Sequence, residues 1–123
     1  MALNLLIVDD SPAIRKILQR VLIQADVPVG TIYEAGDGLQ AIQILESKSI
    51  NLILTDVNMP NMDGLQLLGR VKAHPEWKDL PVVLITTEGG QAKVMEALHL
   101  GAAGYVRKPF SADQIRDKLR GLY

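Results

Sequence analysis

The chain has no cysteine, which excludes disulfides, thiolate metal sites and thiol catalysis. It has no run of like charge either: 13 Lys and Arg face 14 Asp and Glu, for a formal net charge of -1. General electrostatic attraction to nucleic acid or anionic lipid therefore has no basis here, and direct DNA binding would need another chain. No apolar run approaches the ~18 residues that suggest a membrane span, and Met1-Ala2-Leu3-Asn4 lacks the basic-then-apolar pattern of a leader. The expected location is the cytoplasm, without an anchor. Repeats, linkers and low-complexity tracts are missing as well.

What remains is the composition of a soluble globular protein, 48% hydrophobic and 22% charged over 123 residues. That length fits one domain, 1–123, since domains commonly hold ~100–150 residues. Short apolar runs alternate with segments of helical period, the pattern of repeated strand–helix units around a parallel sheet. The runs are Leu5 to Val8, Leu52 to Leu54 and Val82 to Ile85, with weaker strands expected at Thr31 to Ala35 and Gly104 to Val106. Near-continuous apolarity in the strong runs predicts burial on both faces.

Five helices are predicted between and after them, and their apolar stripes are read as core. The stripes are Ile14, Ile17, Leu18, Val21 and Leu22; Leu39, Ile42 and Leu45; Leu65, Leu68 and Val71; Val94, Met95 and Leu98; and Ile115, Leu119 and Leu122. Ser11-Pro12 and Ser111 have the character of helix starts, and Gly101 and Gly121 that of C-terminal caps. The predicted fold class is α/β, a doubly wound five-stranded parallel sheet. Functional groups in such sheets gather outside the carboxyl ends of the strands.

Asp9 and Asp10 follow the first apolar run and Asp56 follows the third, so three carboxylates are expected at one sheet edge. Acids held together repel one another unless a divalent cation compensates, and magnesium, which favours six oxygen ligands, is the natural occupant. The alternative is that these acids merely cap the helices that follow. Lys108 brings a cation to the same edge, able to neutralise a phosphoryl group. Pro109 leaves the preceding peptide bond open to either isomer. Thr86 ends the fourth strand, where its hydroxyl can donate to a phosphoryl oxygen or serve simply as a β-branched strand residue.

Five separated motifs carry a specific resemblance: Leu6-Ile7-Val8-Asp9-Asp10-Ser11, Glu34-Ala35-Gly36-Asp37-Gly38, Thr55-Asp56-Val57-Asn58-Met59-Pro60-Asn61-Met62-Asp63-Gly64, Leu84-Ile85-Thr86-Thr87, and Gly104-Tyr105-Val106-Arg107-Lys108-Pro109-Phe110. In this order and over essentially the whole chain, the sequence resembles the CheY-type receiver domains of bacterial two-component signalling. The resemblance implies a flavodoxin-like sheet of strand order 2-1-3-4-5, and Asp56 as phosphoacceptor from a sensor histidine kinase. It implies Mg2+ held by Asp10, Asp56 and the backbone carbonyl of Asn58, with Asp9 acting through water, while Lys108 and Thr86 stabilise the transferred group. Asn58 and Glu88 would tune hydrolysis, and their pairing implies a signal lasting seconds to minutes. Thr86 and Tyr105 would form the switch.

On this reading the protein is not an enzyme in the ordinary sense. It is a signalling switch that takes part in phosphotransfer and catalyses its own dephosphorylation. A downstream protein would dock on the face made by the fourth helix, fifth strand and fifth helix, and the chain would act as a monomer or a phosphorylation-dependent dimer, with no output domain. Glu88-Gly89-Gly90, with two adjacent glycines, is a candidate mobile loop.

Some features depart from chemotaxis members of that family. Lys93, Lys118 and Arg120 stand beside Gly89 and Gln91, a less lysine-rich output face than motor-binding regulators carry. Val57 follows the acceptor where several members have tryptophan. The single tryptophan, Trp77, is expected in a loop before the fourth strand, remote from the acidic edge. His74 and His99 read as surface cations near helix ends.

Rival functions fit less well. An aspartate-nucleophile phosphatase would need a second acid where Asn58 stands. A flavodoxin-like cofactor binder would need a phosphate-cradling glycine loop where Asp9-Asp10-Ser11-Pro12 stands. A phosphate-independent interaction module would have little use for the full acid, threonine and lysine set.

Overall fold

The computed structural model describes residues 2–87 and 91–123. Glu88, Gly89 and Gly90, expected as a mobile loop, lie outside the described residues, as do the side chains of Gln91 and Val94. Among the described residues ten elements alternate strictly: β1 (Leu3–Val8), α1 (Pro12–Gln24), β2 (Val29–Ala35), α2 (Gly38–Ser47), β3 (Leu52–Asp56), α3 (Gly64–Ala73), β4 (Val82–Thr86), α4 (Gln91–His99), β5 (Gly104–Arg107) and α5 (Ala112–Leu119).

Every strand pairing is parallel, and the sheet order is β2-β1-β3-β4-β5, the expected doubly wound arrangement. The three strong apolar runs occupy the centre. β1, β3 and β4 are buried along nearly their whole length, whereas β2 and β5, the weaker strands in sequence, lie at the edges and are half-exposed. Two cores flank the sheet. Leu6, Ile53 and Leu84 meet Ala41, Leu67, Leu68 and Ala97 from α2, α3 and α4 on one face. Leu5, Leu52, Leu54 and Val83 meet Leu18, Leu22, Ile115 and Leu119 from α1 and α5 on the other.

The helix starts follow local chemistry. The Ser11 hydroxyl accepts from the Ile14 N–H, with Pro12 at the first helical position. Asp63 and Ser111 each form a capping box, with Gln66 and Gln114. Gly101 and Gly121 take positive φ of 102° and 87° just beyond α4 and α5, where an L side chain would be strained.

The predicted stripes are only partly core. α2 buries Gly38, Ala41 and Leu45, while Leu39 is 49% exposed. On α1 the buried residues are Leu18 and Leu22, and Ile17 stands out in solvent. The largest departure is α4, where among the described side chains small Ala97 is the buried one and Met95 and Leu98, expected inside, are 65% and 44% exposed. Helical period fixes which residues share a stripe, but the size of the residue at its centre and the strip of sheet beneath decide which are covered. His74 stands at the end of α3 as expected: it caps the helix, its Nδ1 accepts from the Glu76 N–H at 3.1 Å, and its ring stacks on Trp77 at 3.7 Å.

Candidate functional site

Register decides what gathers at the carboxyl edge. Val8 pairs with Thr55, which sets Asp9 level with Asp56; Asp56 pairs with Ile85, and Thr86 with Arg107, so Thr86 and Lys108 follow one step beyond on the neighbouring strands. Asp9, Asp10 and Asp56 each offer a carboxylate oxygen, all within 4.8 Å of one another. Asp9 is buried, Asp56 half-buried and Asp10 exposed, so the cluster opens to solvent on the Asp10 side.

Lys108 reaches into it from the loop after β5. Its Nζ lies 3.1 Å from Asp9 Oδ2 and 3.6 Å from Asp56 Oδ2, and its backbone N–H donates to the Thr86 carbonyl at 2.7 Å. The Lys108–Pro109 peptide bond is cis. Asp9 Oδ1 accepts from the Ser11 N–H, and Asp56 Oδ1 from the Val57 N–H, each at 2.8 Å. Capping of α1 belongs to the Ser11 hydroxyl, so the acid pair is not spent on that task. Thr86 is buried at the end of β4. Tyr105, on β5, is half-buried beneath the ammonium of Lys118, 5.3 Å from the ring centroid. Glu88 falls outside the described residues.

The electrostatics are unbalanced. Burial pushes the Asp56 carboxyl above the ordinary aspartate range; Lys108 pulls it down, Asp9 pushes it up, the Val57 N–H lowers it and Asp10 raises it. Among the described residues, three carboxylates against one lysine leave an excess of two negative charges in the cluster. At this spacing a pair of like charges repels by roughly 3 kcal/mol for an effective dielectric of about 20. A hard divalent cation with oxygen ligands cancels that excess, so the donor set fits Mg2+.

Three contributors were not singled out by the sequence as parts of this site. Arg15 on α1 donates to the Asp9 carbonyl and, at 2.9 Å, to Glu34, bracing the β1 end against β2. Lys93 on α4 donates to Asn58 Oδ1 at 3.0 Å. The third is Gly64, whose N–H donates to the Val57 carbonyl at 2.8 Å. A Cβ there would stand 2.1 Å from the Asp56 carbonyl oxygen. Only the glycine at the end of the Thr55 to Gly64 motif hinted at this close approach. Gly64→Ala is expected to push the β3 end aside, cost about 1–3 kcal/mol in urea unfolding, and displace Asp56. Native stability in that variant would show that the loop yields freely.

An acidic trio, a lysine and a threonine at the carboxyl edge of a 2-1-3-4-5 sheet define a response-regulator kind of site, and relatedness agrees. The chain belongs to the response regulator receiver domain family, which matches residues 5–120. It is 36% identical to the chemotaxis protein CheY homolog of Campylobacter jejuni over 121 residues, 98% of this chain and 92% of that one. With chemotaxis protein CheY-3 of Vibrio cholerae the identity is 37%, over the same shares. Its fold superposes on the chemotaxis response regulator CheY4 of Vibrio cholerae with a TM-score of 0.87, at 29% identity and full coverage of both chains. The protein is thus a CheY-like phosphoacceptor switch of two-component signalling, of a type that works with histidine kinases and downstream targets. Among the described residues, no helix is long and apolar enough to cross a membrane.

Proposed function

We propose that Asp56 is the phosphoacceptor and that the chain is a switch in a chemotaxis-like pathway or a phosphorelay. The observation that carries this reading is the Asp56 carboxylate at the rim of the acidic cluster, with Lys108 3.6 Å from its Oδ2. A carboxylate oxygen attacks the phosphorus of a kinase phosphohistidine; the O–P bond forms, the P–N bond breaks, and the imidazole leaves and takes a proton. Lys108 then faces the transferred group and offsets its charge, and the Thr86 hydroxyl donates to a phosphoryl oxygen.

Asp10, Asp56 and the Asn58 carbonyl would hold Mg2+, with Asp9 assisting through water. When bound, the ion would neutralise charge on the phosphoryl oxygens. In the hydrolytic half-reaction water attacks phosphorus, its O–P bond forms as the bond to the Asp56 oxygen breaks, and inorganic phosphate leaves as the water gives up a proton to the phosphoryl oxygens or to solvent, with Asn58 and Glu88 orienting the water; this pair supports turnover in seconds to minutes. Phosphorylation would bias a Thr86–Tyr105 equilibrium and so the α4, β5 and α5 face where a partner docks. The whole chain would form one receiver domain.

The test is intact mass after incubation with Mg2+ and acetyl phosphate. A phosphoryl adduct that needs the metal and is removed by hydroxylamine, which cleaves acyl phosphates, is the expected result. No adduct from this donor or from a cognate kinase, in a folded protein, would overturn the reading.

A further inference from the structure

Lys93 is the third residue of α4, and its Nζ donates to the side-chain carbonyl oxygen of Asn58, two residues beyond Asp56. Two features set this bond apart from an ordinary surface contact. A cation in the first turn of a helix opposes the helix dipole, so Lys93 does not serve α4 itself. The bond also joins the helix of the docking face directly to the loop at the acceptor, across a sequence separation of 35 residues.

The occupied atom matters. An attacking water must aim a lone pair at phosphorus while its hydrogens are accepted elsewhere; the proposed hydrolysis has Asn58 orient that water, and Oδ1 is the acceptor that the Asn58 side chain offers. Lys93 engages one lone pair of that oxygen and fixes the direction in which the amide points, towards α4. We propose that Lys93 is a positioning residue that restrains Asn58 and lengthens the phosphorylated state, beyond what the Asn58 and Glu88 pair alone would set. The inference rests on the reading of Asp56 as phosphoacceptor and of Asn58 as a residue that orients water.

The experiment follows loss of the phosphoryl group by intact mass, after loading with acetyl phosphate and Mg2+ and removing the donor. It compares the native chain, Lys93→Met, Lys93→Arg, Asn58→Ala and the double variant Lys93→Met with Asn58→Ala. Both side chains are exposed, and urea unfolding checks that each variant is folded. Release of a single hydrogen bond predicts decay faster on the order of five-fold in Lys93→Met. Lys93→Arg, which keeps a donor, should stay near the native rate. In the Asn58→Ala background the Lys93 substitution should change nothing, because the lysine acts through the amide.

Equal or slower decay in Lys93→Met overturns the proposal, as does a five-fold acceleration that persists without the Asn58 amide. Those results are distinct from failure of the underlying reading, in which the native chain would acquire no phosphoryl group to lose.

Discussion

Asp56→Asn is expected to take up no phosphoryl group at all and yet to be more stable than the native chain when metal is chelated. The amide cannot attack phosphorus as the carboxylate does, so uptake should fall to background by intact mass. The gain in stability follows from the crowded charge. An unfolded Asp56 ionises near 3.8, whereas burial raises the folded value above it. Between those two values the folded chain keeps a proton that the unfolded chain has released, so stability falls as pH rises through the window, and above it the loss is complete. Asparagine carries no such penalty. Urea unfolding in EDTA should place the variant on the order of 1 kcal/mol above native at neutral pH, with the gap closing near about pH 4, where unfolded aspartate is half-protonated. A variant no more stable than native at neutral pH would count against charge crowding at the acceptor.

Lys108→Met should have the largest effect on stability, and in the opposite direction. Asp9 is 1% exposed, and among the described residues Lys108 is the cation paired with it and with Asp56. Removing one partner of a buried pair leaves an uncompensated charge, a loss of about 2–4 kcal/mol once the partial exposure of the Lys108 and Asp56 side chains is allowed for. Two rescues separate this cause from lost packing of the alkyl chain. Mg2+ should recover more stability in Lys108→Met than it adds to the native chain, since it supplies the missing positive charge. Adding Asp9→Asn to Lys108→Met should restore much of the loss, because the charge that needed the lysine is gone. If neither rescue works in urea titrations, the lysine matters through its stem and not its charge.

The sequence made the sheet legible because its central strands, buried on both faces, are written as uninterrupted apolar runs. The edge strands β2 and β5 were weaker in sequence for the same reason: each pairs on one side only. Helix starts were legible where the capping group is local, as at Ser11 and Ser111. On α4 Met95 and Leu98 were misread because, among the described residues, the covered position is Ala97, and an alanine contributes little to an apolar stripe. Asp9 and Asp10 were open to two readings because aspartate is equally common as a helix cap; the Ser11 hydroxyl on the Ile14 N–H shows that the cap of α1 is Ser11.

Chain order alone therefore determined the parallel α/β class and the edge at which Asp9, Asp10, Asp56, Thr86 and Lys108 would stand, since a carboxylate directly after a buried parallel strand has only one end of the sheet to occupy. Distances were a different matter. The 3.1 Å approach of Lys108 to Asp9, the collision that a Cβ at Gly64 would make with Asp56, and the Lys93 bond to Asn58 join residues 99, 8 and 35 positions apart. They depend on strand register and on where each loop folds back, which packing of the two cores sets and no local pattern encodes.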